Sequence, residues 1–324
     1  MQKYLLADTG VKISRIAYGC MGIGGSWDST PITKKLTLKA LDSVSTALEN
    51  GITLFDHADI YANGKSELVF GEVLKEMKGI RENIIIQSKC GIRFPGDPNP
   101  RSPGRYDFSY EHIINSVDGS LSRLGIEQLD ILLLHRPDPL MEPEEVAKAF
   151  DELHIKGKVR YFGVSNFNSG QMALLQNSLD QPITINQIEI SLLHHHVIND
   201  GILANQISGK YAATTGILDY CRLNKILVQA WSPVALGKIF NPPLDAEENV
   251  ITLAKQISTY AEKKGTSKEA IALAWLLKHP ARIQPVIGTT NPKRIINSCM
   301  ADEITLSREE WYKLFTIARG NPVP

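Results

Sequence analysis

The sequence predicts an α/β protein: a single (β/α)8 TIM barrel over residues 1–324, with an N-terminal β-hairpin and an extra C-terminal helix. Three observations predict it. Short β-branched or apolar runs alternate with helix-like segments along the chain. The first strand-to-helix turn lacks a dinucleotide-loop spacing, and barrels of alternating strands and helices often run to about this length of 324 residues as one domain.

The strand candidates are Ile16–Gly19, Thr53–Phe55, Ile84–Ser88, Ile131–Leu134, Val159–Val164, Thr184–Ile190, Ile226–Ala230 and Pro285–Ile287. Between them lie helical candidates at Leu36–Glu49, Glu67–Met77, Tyr110–Leu124, Glu144–Lys156, Gln171–Ser178 and Val250–Lys264. Such alternation implies a parallel sheet, either open and doubly wound or closed as a barrel. An open dinucleotide-binding sheet carries G-x-G-x-x-G at its first turn. Here the turn is G-C-M-G-I-G-G, Gly19 to Gly25, whose spacing is wrong and which reads as a glycine loop, so the closed barrel is favoured. Lys3–Ile13 forms two short runs around Asp8-Thr9-Gly10, a hairpin pattern. The polar run His194–Gly216 reads as a long loop after the sixth strand.

Composition excludes several roles. Lys plus Arg and Asp plus Glu number 35 each, so no net field draws the chain to nucleic acid or to a membrane. The opening M-Q-K-Y-L-L-A-D-T-G has too short an apolar run for a signal peptide, and no span of about 18 apolar residues follows. We expect a cytoplasmic monomer in which Cys20, Cys90, Cys221 and Cys299 are reduced thiols, although four cysteines would allow two disulfides.

In a closed barrel the strands' C-terminal ends converge. Strand 2 ends in F-D-H-A-D-I-Y, giving Asp56 and Tyr61; strand 3 ends at Lys89 and strand 4 at His135. Strand 5 runs into Ser165 and Asn166, strand 6 contains Gln187, and strand 7 ends at Trp231. Taken singly, each is an ordinary strand-end or turn residue; together they form a chemical set. A tyrosine of pKa about 10 is a poor acid near neutrality. A neighbouring ammonium lowers that pKa, and a carboxylate keeps the ammonium charged. Tyr61, Lys89 and Asp56 supply those groups, and His135 supplies a hydrogen bond to a carbonyl oxygen. The set suits protonation of a developing alkoxide, the acid half of a carbonyl reduction.

These residues stand in motifs that resemble the aldo-keto reductases, most closely their YdhF-like bacterial branch. The motifs are D-H-A-D-I-Y, N-G-K-S-E, S-K-C-G, L-L-L-H-R-P-D-P, G-K-V-R-Y-F-G-V-S-N-F, N-Q-I-E-I-S, A-W-S-P and P-V-I-G-T-T-N-P-K-R-I, in that order. The resemblance implies an oxidoreductase that reduces an aldehyde or ketone with NADPH, bound without a Rossmann domain. It implies that Tyr61 is the general acid assisted by Lys89 and Asp56, with His135 polarising the carbonyl. Ser165, Asn166 and Gln187 match positions holding the nicotinamide carboxamide, Trp231 the stacking position, and Met21 the loop near the ribose. Ser232, Pro233, Val234, Gly237 and Lys238 match the phosphate-contacting loop, with backbone N–H groups and the Lys238 ammonium as its donors. Gly288, Thr289, Thr290, Arg294, Asn297 and Ser298 match the adenine end, where Arg294 resembles the clamp on the 2′-phosphate. Many members carry lysine at Gly288 and a Glu-Asn pair at Asn297 and Ser298, so NADH remains a possible cofactor. Ala204–Gly216 looks like an insertion relative to the branch.

The triple His194-His195-His196 invites a metal, but strand geometry allows His194 and His196 alone to share a side, and no cluster completes the set, so we expect none. Trp27, Arg136 and His195 are candidate substrate contacts, while His57 and Asp59 read as structural. The proline-rich stretch between Arg93 and Asp107 is either a rigid surface loop or a rim gating the substrate. The function alternative to a reductase is a nucleotide-binding, redox-sensing regulatory subunit with little turnover.

Overall fold

The computed structural model of the chain describes residues 1–203 and 216–324. The expected insertion at Ala204–Gly216 therefore lies, except for Gly216, outside the described residues. An antiparallel hairpin of β1 (Lys3–Leu5) and β2 (Lys12–Ser14) precedes eight parallel strands. These are β3 (Ala17–Gly19), β4 (Leu54–Asp56), β5 (Ile85–Cys90), β8 (Leu129–Leu134), β9 (Val159–Ser165), β10 (Ile183–Glu189), β11 (Leu227–Trp231) and β12 (Gln284–Ile287). They close in chain order, with β12 pairing β3, so the sheet is a closed barrel. A two-stranded ribbon, β6 (Ile92–Arg93) with β7 (Arg105–Tyr106), spans the proline-rich stretch.

The helices are α1 (Lys34–Glu49), α2 (Lys65–Glu76), α3 (Tyr110–Leu124), α4 (Pro143–Ile155) and α5 (Ser169–Ser178). They continue with α6 (His196–Asn199), α7 (Ile217–Leu223), α8 (Glu248–Lys264), α9 (Lys268–Leu277), α10 (Pro292–Cys299) and α11 (Arg308–Arg319). Side-chain caps fix several starts: Thr33, Ser109 and Ser267 each accept an N–H of the first turn, and Asn168–Gln171 and Ser307–Glu310 form capping boxes.

The period-2 alternation of the strands divides the apolar residues into two cores. Leu54, Ile131, Leu133, Ile185, Leu227 and Val286 point into the barrel, where Leu6 and Ile13 from the hairpin segment join them. Their chain neighbours Phe55, Leu132, Leu134 and Val228 point outward and pack in the core that contains the helices' apolar faces. Gln284 Nε2 donates to the Ser14 carbonyl at 2.5 Å, tying β12 to the end of the hairpin. The same inward faces continue toward the strands' C-terminal ends as polar residues, which is what builds the site. All four cysteines are buried and unpaired. Among the described residues no helix is long and apolar enough to cross a membrane.

Candidate active site

Asp56 ends β4, and two residues apart on β5 lie Gln87 and Lys89, facing the same side. Lys89 is 1% exposed, so its ammonium depends on protein partners. Its Nζ lies 2.7 Å from Asp56 Oδ1 and donates to Tyr61 Oη and the His57 carbonyl, each at 2.9 Å. Burial alone would lower the Lys89 pKa, but Asp56 and Tyr61 outweigh it and raise it. Tyr61 sits in the loop before α2, where Ala62, Asn63 and Gly64 all take positive φ.

The tyrosine corrects the sequence argument. Burial raises the Tyr61 pKa, and the opposing pull of Lys89 does not bring it below the ordinary value. The expected lowering counted the ammonium without the cost of burying a phenolate. The outcome is a phenol that keeps its proton at neutral pH and hydrogen-bonds a buried cation.

His135 follows β8, its ring edge-on to Tyr61 with centroids 5.9 Å apart. Burial, then Lys89 and Arg136, hold its pKa well below the usual imidazole range, so it is neutral with one N–H to donate. Asn166, at φ +66°, donates to the His135 carbonyl (3.2 Å) and Ser165 Oγ (2.9 Å), while its Oδ1 accepts from Trp231 Nε1 (3.0 Å). Ser165 Oγ in turn donates to the Gln187 carbonyl at 2.8 Å.

Beneath this set lies a glutamine network that the sequence argument missed. Gln87 Nε2 donates to Asp56 Oδ1 (2.6 Å) and to Gln229 Oε1 (2.9 Å). Gln229 also accepts from Gln187 and donates to Gln87 and Gln284. All four side chains are buried. The available signal was an amide inside an apolar strand, as in I-I-I-Q-S-K and L-V-Q-A-W.

A cavity of about 470 Å³ opens onto Tyr61 and His135. Of the expected cofactor residues, Met21, Asp56, Ser165, Asn166 and Gln187 line it, as do Trp231, Ser232, Pro233 and Val234 after β11. Gly288, Thr289, Arg294 and Ser298 line it from the β12–α10 side. Gly237, Lys238, Thr290 and Asn297 are not among the lining residues. In the loop after β11 the N–H groups of Ala235, Gly237 and Lys238 donate to the loop's own carbonyls, contrary to the expectation that they await a phosphate.

Of the expected substrate contacts, Arg136 lines the cavity with its guanidinium 5.4 Å from the Trp231 ring centre. Trp27 does not line it and packs edge-on against Phe94, 6.2 Å away. His195 does not line it either: its Nδ1 lies 3.0 Å from the Leu192 carbonyl and its ring meets Phe315 of α11. The His194 and His196 rings are 4.4 Å apart, and among the described residues no group of three or more metal-ligating side chains forms.

His57 is fully buried against Phe70, and burial pushes its pKa down to about 3. The Asp59 N–H donates to the Lys89 carbonyl (3.0 Å), and burial followed by nearby Glu67 raises its carboxyl pKa to about 7. Glu67 accepts from Ser88 Oγ (2.7 Å) and pairs with Arg123 Nε (2.8 Å), bracing β5 beside Lys89.

A profile described as the aldo/keto reductase family matches residues 15–318. A 6-dehydroglucose reductase of Agrobacterium fabrum is 36% identical over 324 residues, covering both chains fully. The oxidoreductase YdhF of Escherichia coli is 34% identical over 325 residues, again covering both fully. The solved glycerol dehydrogenase of Gluconobacter oxydans superposes with a TM-score of 0.82 at 24% identity, over 100% of this chain and 97% of that one, a likeness of fold.

Proposed function

The chain belongs to the aldo/keto reductase family and is an NAD(P)H-dependent oxidoreductase, and from that premise we propose that it reduces an aldehyde or ketone with NADPH, using Tyr61 as general acid. The observation that carries this reading is a protonated phenol on the cavity wall, hydrogen-bonded to the buried Lys89 ammonium and facing a neutral His135.

The cavity's residues fit a nicotinamide dinucleotide. A Cβ built on Gly288 meets nothing within 4 Å, which leaves open space beside the backbone. The lining combines an indole (Trp231), amides (Asn166, Gln187), hydroxyls (Ser232, Thr289, Ser298) and one guanidinium on the α10 side, Arg294. We assign the amides to the carboxamide, Trp231 to the ring face, and Arg294 with its hydroxyl neighbours to the adenosine phosphate. When bound, such a cofactor supplies the hydride.

The chain's own residues supply the rest. His135 N–H holds the carbonyl oxygen, and Tyr61 Oη delivers its proton as the alkoxide forms, a role that contributes on the order of 10²–10⁴ in rate. Lys89 stabilises the phenolate left behind, and Asp56 holds Lys89 charged and in place. The product is the alcohol, and solvent returns one proton to Tyr61.

The test is turnover across a panel of aldehydes and ketones, followed at the reduced nicotinamide absorbance with NADPH and NADH. The relative from Agrobacterium fabrum is named for 6-dehydroglucose, so that carbonyl heads the panel. Turnover that is faster with NADPH is expected. Nucleotide binding without turnover on any carbonyl would replace this reading with the regulatory one.

A further inference from the structure

Four charged side chains are found among the described residues that line the cavity: Asp56, Arg136, Glu269 and Arg294. Asp56 pairs with Lys89 beside Tyr61, and Arg136 follows His135 in the chain and stands over the Trp231 ring. The other two face each other, with Arg294 Nε 3.5 Å from Glu269 Oε1. Glu269 stands in the first turn of α9, where the helix's positive end favours a negative charge and Ser267 caps the start. Its side chain is largely buried (16% exposed), whereas that of Arg294 is 44% exposed. The guanidinium also approaches the loop after β11, since a Cβ on Gly237 would lie 3.8 Å from Nη2.

The charge arithmetic on this side of the cavity is therefore close to zero. The guanidinium that would meet a 2′-phosphate already has a carboxylate partner, fixed by a helix and lining the same space. Resting on the reading of this cavity as the dinucleotide site, we propose that Glu269 sets the cofactor preference by competing for Arg294. A 2′-phosphate, with nearly two negative charges, must win Arg294 from Glu269 before it can pair with the guanidinium. An unphosphorylated ribose has no such conflict, and its 2′-hydroxyl can donate to the carboxylate. The chain therefore discriminates only moderately between NADPH and NADH, and the restraint lies in α9, outside the β12–α10 segment that supplies Arg294.

The test uses nucleotides that carry no nicotinamide, so it does not depend on turnover. Adenosine 2′,5′-bisphosphate and adenosine 5′-monophosphate are titrated calorimetrically into the full chain, as wild type, Glu269→Gln and Glu269→Ala, each also in an Arg294→Ala background. Both Glu269 variants are expected to bind the bisphosphate about threefold to tenfold more tightly, with the monophosphate unchanged or weaker. The gain should vanish in the Arg294→Ala background, because the competition runs through that guanidinium. Equal shifts for both nucleotides, no shift, or a gain that survives Arg294→Ala overturns the inference while leaving the cavity a nucleotide site. If the wild type binds neither nucleotide, the cofactor reading fails, and the inference with it.

Discussion

Replacing Asp56 with asparagine removes the carboxylate 2.7 Å from Lys89 Nζ while keeping the side chain's shape. Lys89 is 1% exposed, so no water layer compensates the lost charge. Its remaining contacts, the Tyr61 hydroxyl and the His57 carbonyl, are neutral dipoles. Breaking a buried ion pair by removing one partner costs about 3–5 kcal/mol, because the other charge stays buried and uncompensated. For a chain of 324 residues, an unfolding entropy of about 0.7 kcal/mol per kelvin makes that loss a fall of about 4–7 °C in midpoint. Lys89→Met should cost a similar amount by stranding Asp56. The double variant should recover to within about 1 kcal/mol of wild type, since an uncharged pair of similar volume carries no desolvation penalty. Urea unfolding of the four proteins at pH 7 gives the cycle. A loss below about 1 kcal/mol for Asp56→Asn, or a double variant as unstable as the two singles added together, would refute the claim that the pair holds Lys89 in the barrel.

Further outcomes follow from the same geometry. The His57 pKa is depressed to about 3, so below pH 6.5 the unfolded chain takes up a proton that the folded chain refuses. Its stability contribution is present above pH 6.5 and is lost as pH falls toward 3, at about 1.4 kcal/mol per pH unit. Urea unfolding of His57→Leu between pH 6.5 and 4.5 should show a slope shallower by that amount, and an unchanged slope removes the assignment. A Cβ on Gly24 would lie 2.5 Å from Ser66 Oγ, 2.7 Å from Ser66 N and 2.8 Å from Ala62 Cβ, pressing the first loop into the start of α2 and into Ala62, the residue after Tyr61. Gly24→Ala should cost about 1–3 kcal/mol and lower kcat on the order of 100-fold by misplacing the acid; wild-type values for both would mean the loops do not hold Tyr61.

The barrel was legible because its strands are short apolar runs bounded by clear helices. All eight expected strands form, with ends shifted by two residues or fewer, as at Ile84–Ser88 against the observed Ile85–Cys90. Helix α9 was not legible: I-A-L-A-W-L-L is buried on every side, so it shows no 3.6-residue period. The ribbon β6–β7 escaped because two-residue strands among prolines leave no alternation to read. In the site, residues at strand ends could be read in order, since closure dictates their convergence. Gln87 and Gln229 lie in mid-strand, and only the inward register reveals that they meet. Glu269 lies on α9 and reaches Arg294 through tertiary packing alone. The direction of the Tyr61 pKa was not legible for a related reason: sequence shows which charges are near, but not how far folding withdraws the phenol from water.

The central claim is that the Tyr61 hydroxyl delivers the proton, and Tyr61→Phe tests it most directly, because Lys89 keeps its bond to Asp56 when the hydroxyl is gone. Single-turnover oxidation of bound NADPH by a reactive aldehyde should slow by about 10²–10⁴ in this variant, while the NADPH dissociation constant stays within about twofold, since no nucleotide contact is assigned to that hydroxyl. A wild-type rate of aldehyde reduction by Tyr61→Phe would contradict the account.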